Sequence, residues 1–388
     1  MSKLGQTLSQ YWSRIQGTLF PQLEKELDPL TAKQQHLITI LEVVRIEQFI
    51  PDYSGYEGRP RKTRSAIARS FVAKMVYNMT TTRALWDRLH SDKSLRRICG
   101  WENSRQIPSE STFSRAMAEF TETELPQCVH RALIKEAYEE TRTVVQHNSR
   151  DSTAIEARER VIKKIAESSL IGEDTNLKPK RGRPKKGEEK APKEPTRIEK
   201  QQTMSLEAML EDLPKDCDIG TKKNSKGHAE HWIGYKLHLD TGDGCVPISA
   251  ILTSASVHDS QVAIPLAEMT AKRVVNFYDL MDAAYDVPGI IAHSKSLEHI
   301  PLIDKNPRRD KILAEELRAE DKRQKLINME SPESIRYNER TTAERANARL
   351  KDEFGGRMVR VRGPGKVMCH LMFGVLVLAA DQLMRMTV

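Results

Sequence analysis

The sequence predicts an α/β protein, a mixed sheet flanked by helices and preceded by an all-helical N-terminal region. Three observations lead there. Residues 1–140 carry helical apolar patterning and no convincing strand alternation. After about Thr143, strand-like segments return and alternate with helical ones. Near the C-terminus, the stretch from Tyr337 to Lys351 has a helical period, with Ala343, Ala346 and Leu350 on one side. Tyr337, Arg340, Glu344 and Lys351 share a narrow arc on the other. These features divide the chain at 1–140 and 141–388, the second part being interrupted at about 160–225 by a charged helix and a basic linker.

In order, residues 1–49 read as an amphipathic helical region. A loop rich in Gly, Pro and Tyr (51–60) separates it from helices expected at 63–77, 81–90 and 109–120. The segment Pro108-Ser-Glu-Ser111-Thr112-Phe-Ser-Arg115 has a capped start with polar and basic first turns. A DNA-reading helix begins this way, and so does any capped surface helix; Arg59, Arg61, Lys62 and Arg64 nearby incline the reading towards DNA. A strand runs through Val144 and Val145 into Asn148-Ser-Arg-Asp151-Ser152-Thr153. Thr153-Ala-Ile-Glu156 then suggests a capping box opening a helix to about Ser168.

Residues 171–200 have linker composition, with ten Lys or Arg against four Glu from Lys178 to Lys200. Within them, Arg181-Gly182-Arg183-Pro184 resembles an AT-hook, in which two arginines enter a narrow minor groove; a generic basic linker has the same composition. Strands follow at 232–240 and 245–253, joined by Thr241-Gly-Asp-Gly244, a hairpin signal. Ser256-Val-His258-Asp259 opens a helix to about Thr270. There Asp259 is accounted for as a cap, and neither it nor His258 is assigned a role. A buried strand is expected at 274–281, ending at Asp282, another at 300–303, and a charged helix at 311–328. The apolar C-terminal segment, 367–384, is broken by His370 and Asp381. Its uninterrupted run, Leu371 to Ala380, is too short to span a bilayer, so a buried helix is expected.

Composition narrows the function. Of 388 residues, 30% are charged and the net charge is +8, which favours an anionic partner, nucleic acid above all. Five scattered cysteines show no redox or metal-knuckle spacing and fit a reducing cytosol. A zinc site of Cys217, His228, His231 and Cys245 would need irregular spacings, and ordinary turn and strand positions explain them better. The N-terminus lacks the apolar core of a signal peptide. A cytoplasmic protein without a membrane segment is expected.

The element order (a strand bearing Asp151, a hairpin, a helix, a strand ending in Asp282, a short strand, then a helix bearing Glu344) is that of the ribonuclease-H-like fold. Three converging carboxylates repel one another unless cations neutralise them. The chain resembles the DDE transposases of bacterial insertion sequences with a Tyr-x2-Arg-x3-Glu-x6-Lys signature, which Tyr337, Arg340, Glu344 and Lys351 match in full. Asn148-Ser-Arg-Asp151-Ser152-Thr153 resembles the first-aspartate motif, and Met281-Asp282-Ala-Ala-Tyr285-Asp286 the second. The resemblance implies Asp151, Asp282 and Glu344 as catalytic ligands of two Mg²⁺ or Mn²⁺ ions. It implies Tyr337, Arg340 and Lys351, with Arg181 and Arg183 from the linker, as DNA contacts. Expected partners are terminal inverted repeats and target DNA, held by a homodimer in the DNA complex; in the cell the protein would join the nucleoid when DNA-bound.

Alternatives remain within that scheme. Asp279 and Asp286 compete with Asp282, and Glu339 with Glu344. Only 61 residues separate Asp282 from Glu344, too few for the large β-rich insertion of some relatives. A nuclease of the same fold that does not join strands, or a non-catalytic DNA-binding derivative, would share most of these features.

Overall fold

The computed structural model describes residues 3–51, 63–139, 143–161, 195–223, 227–308, 310–328 and 330–386. Arg181, Arg183, most of the loop before residue 63 and residues 162–168 of the expected charged helix lie outside them. Six strands form one mixed sheet: β1 (Val145–Glu156), β2 (Asp218–Lys223), β3 (Ala229–Gly242), β4 (Val246–Ser254), β5 (Asn276–Met281) and β6 (Ile300–Ile303). β1 pairs antiparallel with β3 and parallel with β5; β3 and β4 form the expected hairpin, and β6 lies parallel to β5. The order β4-β3-β1-β5-β6 is the predicted ribonuclease-H-like arrangement. β2, which the sequence reading missed, adds an antiparallel partner to the beginning of β3. Where both β1 and β2 meet β3, Gly234 has φ +151, and a Cβ there would lie 2.1 Å from the Ile155 carbonyl oxygen.

The helix expected from Thr153 is corrected over its described residues, 153–161, none of which is helical. Residues 153–156 continue β1, paired from Thr153↔Leu237 to Glu156↔Gly234. Cross-strand pairing and burial of Ile155 override the local capping signal. In the N-terminal region, helices Arg64–Val76, Thr82–Ser91 and Glu110–Glu122 follow the sequence reading closely, and Lys93–Ile98 and Leu125–Glu139 complete it.

The C-terminal helix Pro364–Arg385 binds the molecule together. By length and composition it could cross a membrane, yet 89% of its apolar window is buried within the protein. It packs on β4 and on helices Arg64–Val76, Glu110–Glu122 and Leu125–Glu139, so one apolar cluster runs from Leu37 and Phe71 through Phe373 to Leu237 and Leu252. Its two polar interruptions are anchors. His370 Nε2 meets the Gly355 carbonyl at 3.0 Å, and Asp381 accepts from Arg349 Nη2 at 2.8 Å. Both partners belong to the segment that carries Glu344. Gly374 permits that contact, since a Cβ there would lie 2.5 Å from the Phe354 carbonyl oxygen.

A second, polar core lies on one face of β1, β3 and β5. Arg150 and Asp240, cross-strand partners, form a bidentate pair with both bonds at 2.8 Å; their side chains are 2% and 0% exposed. Asn148 donates to Asp240 at 3.0 Å, and Thr270 does so at 2.7 Å. On β5, Asp279 accepts from Ser294 and Asn276 and meets His299 Nδ1 at 3.1 Å. Removing one member of a buried pair strands the other charge in low dielectric. Asp240→Ala is therefore expected to lower stability by about 3–5 kcal/mol in urea denaturation, whereas Asp212→Ala, which removes a half-exposed partner of Arg197, should cost under about 1 kcal/mol.

Candidate active site

Alternation along β1 separates the polar core from the site. Asn148 and Arg150 enter the buried layer, while Ser149 and Asp151 face the opposite way, against helix Thr341–Asp352. The parallel register Asn148↔Asp279 and Ser149↔Leu280, continued along both chains, sets Asp151 level with Asp282, the residue that follows β5. The late helix is fastened to β1 at two points. The Ser149 and Thr342 hydroxyls lie 2.9 Å apart, with Ser149 donating to the Glu339 carbonyl at 3.0 Å. One turn further on, Asn347 Nδ2 donates to Asp151 Oδ2 at 3.0 Å. As the pattern predicts, Ala343, Ala346 and Leu350 are buried beneath this helix.

The stretch from Tyr337 to Lys351 is not one regular helix. Pro332–Tyr337 ends in a 3₁₀ turn, Asn338–Arg340, before Thr341–Asp352 begins. The Tyr337 hydroxyl donates to Asp304 at 2.7 Å, just beyond β6. Arg340 stays within reach of the Tyr337 ring (5.7 Å) and pairs with Glu344 at 2.8 Å. Lys351 lies at the other end of the helix, where burial and the nearby charges of Lys222 and Arg357 lower its pKa.

Asp151 and Asp282 are electrostatic neighbours. Burial raises Asp151 to about 6; the charge of Asp282 adds to this, and the bonds from Ser152 and Asn347 and the charge of Arg340 oppose it. Burial also raises Asp282, helped by Asp259 and Asp304, against its bond from Ala284 N and the charge of Arg340. Arg340 thus stands among three carboxylates. Glu344 keeps a 52% exposed side chain on Arg340, one helical turn from the Asn347 that touches Asp151.

The competing acids are occupied elsewhere. Asp279 is buried in the polar core, and Asp286 accepts from Asn306 N at 2.9 Å in the following loop. Glu339 is exposed and contributes its backbone carbonyl.

The sequence assigns no role to three neighbours, although it lets Asp259 approach the site. Asp259 is not the helix cap; His258 caps the 3₁₀ turn Asp259–Val262 that leads into helix Ala263–Ala271. Instead Asp259 accepts from Lys236 Nζ at 3.0 Å. Burial works against its ionisation, but His238, Lys236 and a bond from Ser152 hold its pKa below the ordinary range. Lys236 was detectable as a lone cation in an apolar strand. Asn347 was detectable only as a polar residue on the buried side of the Glu344 helix.

Among the described residues, no group of three or more His, Cys, Asp or Glu is gathered closely enough to hold a metal ion. The surroundings of Asp151 nonetheless suit a hard cation. Two half-buried carboxylates lie there, the charge of Asp282 adding to the cost of ionising Asp151, and Asn347 Oδ1 is buried without a hydrogen-bond partner among the described residues. Such an all-oxygen donor set favours Mg²⁺ or Mn²⁺.

Two families match the chain. One described as "Transposase DDE domain" matches residues 195–379, and one described as "Transposase domain (DUF772)" matches residues 25–119. The first match contains Asp282, Tyr337, Arg340, Glu344 and Lys351; Asp151 lies between the two. No curated protein and no solved structure matches the chain.

The raised pKa of Asp151 carries a sign for stability. The folded chain holds this proton more tightly than the unfolded one, so its contribution to stability falls as pH rises from about 4 to about 6. Melting curves in chelator should show Asp151→Asn more stable than the parent at pH 7, with a smaller decline across that window.

Proposed function

Since the chain belongs to the DDE transposases of insertion sequences, we propose that it binds the terminal inverted repeats of its element and catalyses strand cleavage and strand transfer. Asp151, Asp282 and Glu344 would hold two divalent ions. When bound, those ions supply the positive charge that stabilises attacking and leaving oxygens in an in-line phosphoryl displacement. In cleavage, water attacks the phosphorus at the transposon end, the P–O3′ bond breaks and a 3′-hydroxyl is freed. In transfer, that hydroxyl attacks a target phosphodiester, forming one P–O bond as another breaks.

The observation that best supports this reading is the neighbourhood of Asp151 and Asp282 beneath a helix that is bonded to Asp151, bears Glu344 and is preceded by Arg340. Arg340 would exchange Glu344 for the phosphate at the cleaved end, since a guanidinium binds either bidentately. Glu344 would then be released towards the two aspartates. Tyr337, close to Arg340, would pack against the same DNA end. Lys351 would follow the backbone further along the helix as a point charge. Arg181 and Arg183 would add minor-groove contacts. Two ends require two sites, so the DNA complex is read as a homodimer acting on cytoplasmic, nucleoid DNA.

The test incubates purified protein with Mg²⁺, terminal-repeat DNA and a target plasmid. Cleaved and joined products are expected. Cleavage without joining would favour a nuclease of the same fold, and no metal-dependent cleavage would sink the enzymatic reading. Asp151→Asn, Asp282→Asn and Glu344→Gln should each abolish both products while retaining DNA binding in gel-shift assays. Lys351→Ala should weaken end binding and reduce the slope of log affinity against log salt by about one.

A further inference from the structure

Helix Lys311–Ile327 stands almost alone between the second aspartate and the Glu344 helix. None of its seventeen residues is buried. Its caps hold it: Asp310 Oδ1 accepts from the amides of Ile312 (3.0 Å) and Leu313 (3.2 Å), and Asn328 closes it in the left-handed conformation. The side turned towards the body carries the partly covered Leu313, Ala314 and Leu317. The opposite side repeats every seven residues. Ile312, Ala319 and Leu326 lie within about 40° of one another at helical spacing, and Ile312 and Leu326 are 71% and 86% exposed. Glu315 and Lys322 share one flank of this stripe, Glu316 and Arg323 the other.

This face is complementary to itself. In an antiparallel pair of copies with a two-fold axis at Ala319, Ile312 of one meets Leu326 of the other at both ends. Small Ala319 allows close approach in the middle. Glu315 then faces Lys322 of the second copy, and Glu316 faces Arg323, on matching flanks. Arg323 pairs along its own helix with exposed Glu320 at 3.0 Å, a weak bond to exchange. A parallel pair would instead set Glu315 against Glu316 and Lys322 against Arg323 of the second copy, which is unfavourable.

We propose that this helix is a self-association surface through which two copies of the chain pair antiparallel in the absence of DNA. The contact is one helix wide, smaller than a standard stable interface, so the dimer should be concentration-dependent. This inference does not rest on the catalytic reading, because its test needs neither DNA nor metal.

The test is sedimentation of the full chain over a concentration series. The parent should move from monomer towards dimer, and Ile312→Asp with Leu326→Asp should stay monomeric with an unchanged circular-dichroism spectrum. Glu315→Lys with Glu316→Lys, and separately Lys322→Glu with Arg323→Glu, should each lose the dimer. An equal mixture of these two charge variants should regain it as a heterodimer. A parent that is monomeric throughout, a dimer that survives the apolar substitutions, or a mixture that stays monomeric while the parent dimerises would each overturn the proposal.

Discussion

A charge pair with almost no exposure, Arg150 with Asp240, sits where three strands of the sheet meet, and the positions of the acidic residues follow from it. Neither group tolerates burial unless the other is directly opposite and the remaining lone pairs are satisfied, which Asn148 and Thr270 do. A slip of one residue between β1 and β3 would turn Arg150 to the other face and leave Asp240 unpaired. The value of such a pair is therefore register more than net stability. With Asn148 and Arg150 committed to one face, Ser149 and Asp151 must emerge on the other. Asp279, held in the same layer by Ser294, His299 and Asn276, fixes β5 so that Asp282 comes out beside Asp151.

The third acidic residue depends on a different part of the molecule. Helix Thr341–Asp352 is clasped on one side by β1, through Thr342 and Asn347. On the other side the C-terminal helix holds it, through the Gly374 contact and the Arg349–Asp381 ion pair. Asp381 also lies 3.4 Å from His36 in helix Ala32–Val44. The N-terminal helical region, the C-terminal helix and the site helix thus share one carboxylate. Arg340 compensates charge locally, lying near two half-buried aspartates while bonded to Glu344.

Much of this was legible in the sequence because the signals were local or strongly periodic. The hairpin at Thr241–Gly244, the apolar run ending at Asp282 and the apolar back of the Glu344 helix each announce themselves within about ten residues. Other features were not. A capping box at Thr153 is locally convincing, yet continued pairing of the twelve-residue β1 with β3 outweighs it. β2 is short, polar and at the edge of the sheet, so it has no apolar alternation to read. The 3₁₀ turn at Asn338–Arg340 gives no compositional sign, and neither does the bond from Tyr337 to Asp304.

By itself the sequence determined the fold class, the strand that carries Asp151, the strand that ends before Asp282 and the spacing of the Tyr-Arg-Glu-Lys series, since these depend on side-chain period and order along the chain. Tertiary structure decided which carboxylates are neighbours and which are spent. Asp279 is consumed by the polar core. Asp259 is drawn towards the site by Lys236 rather than used as a cap, and Asn347 becomes the link from the late helix to Asp151. The reason is physical: burial, hydrogen bonding and the field of nearby charges depend on residues about 20 to 200 positions away, and no local pattern encodes those distances.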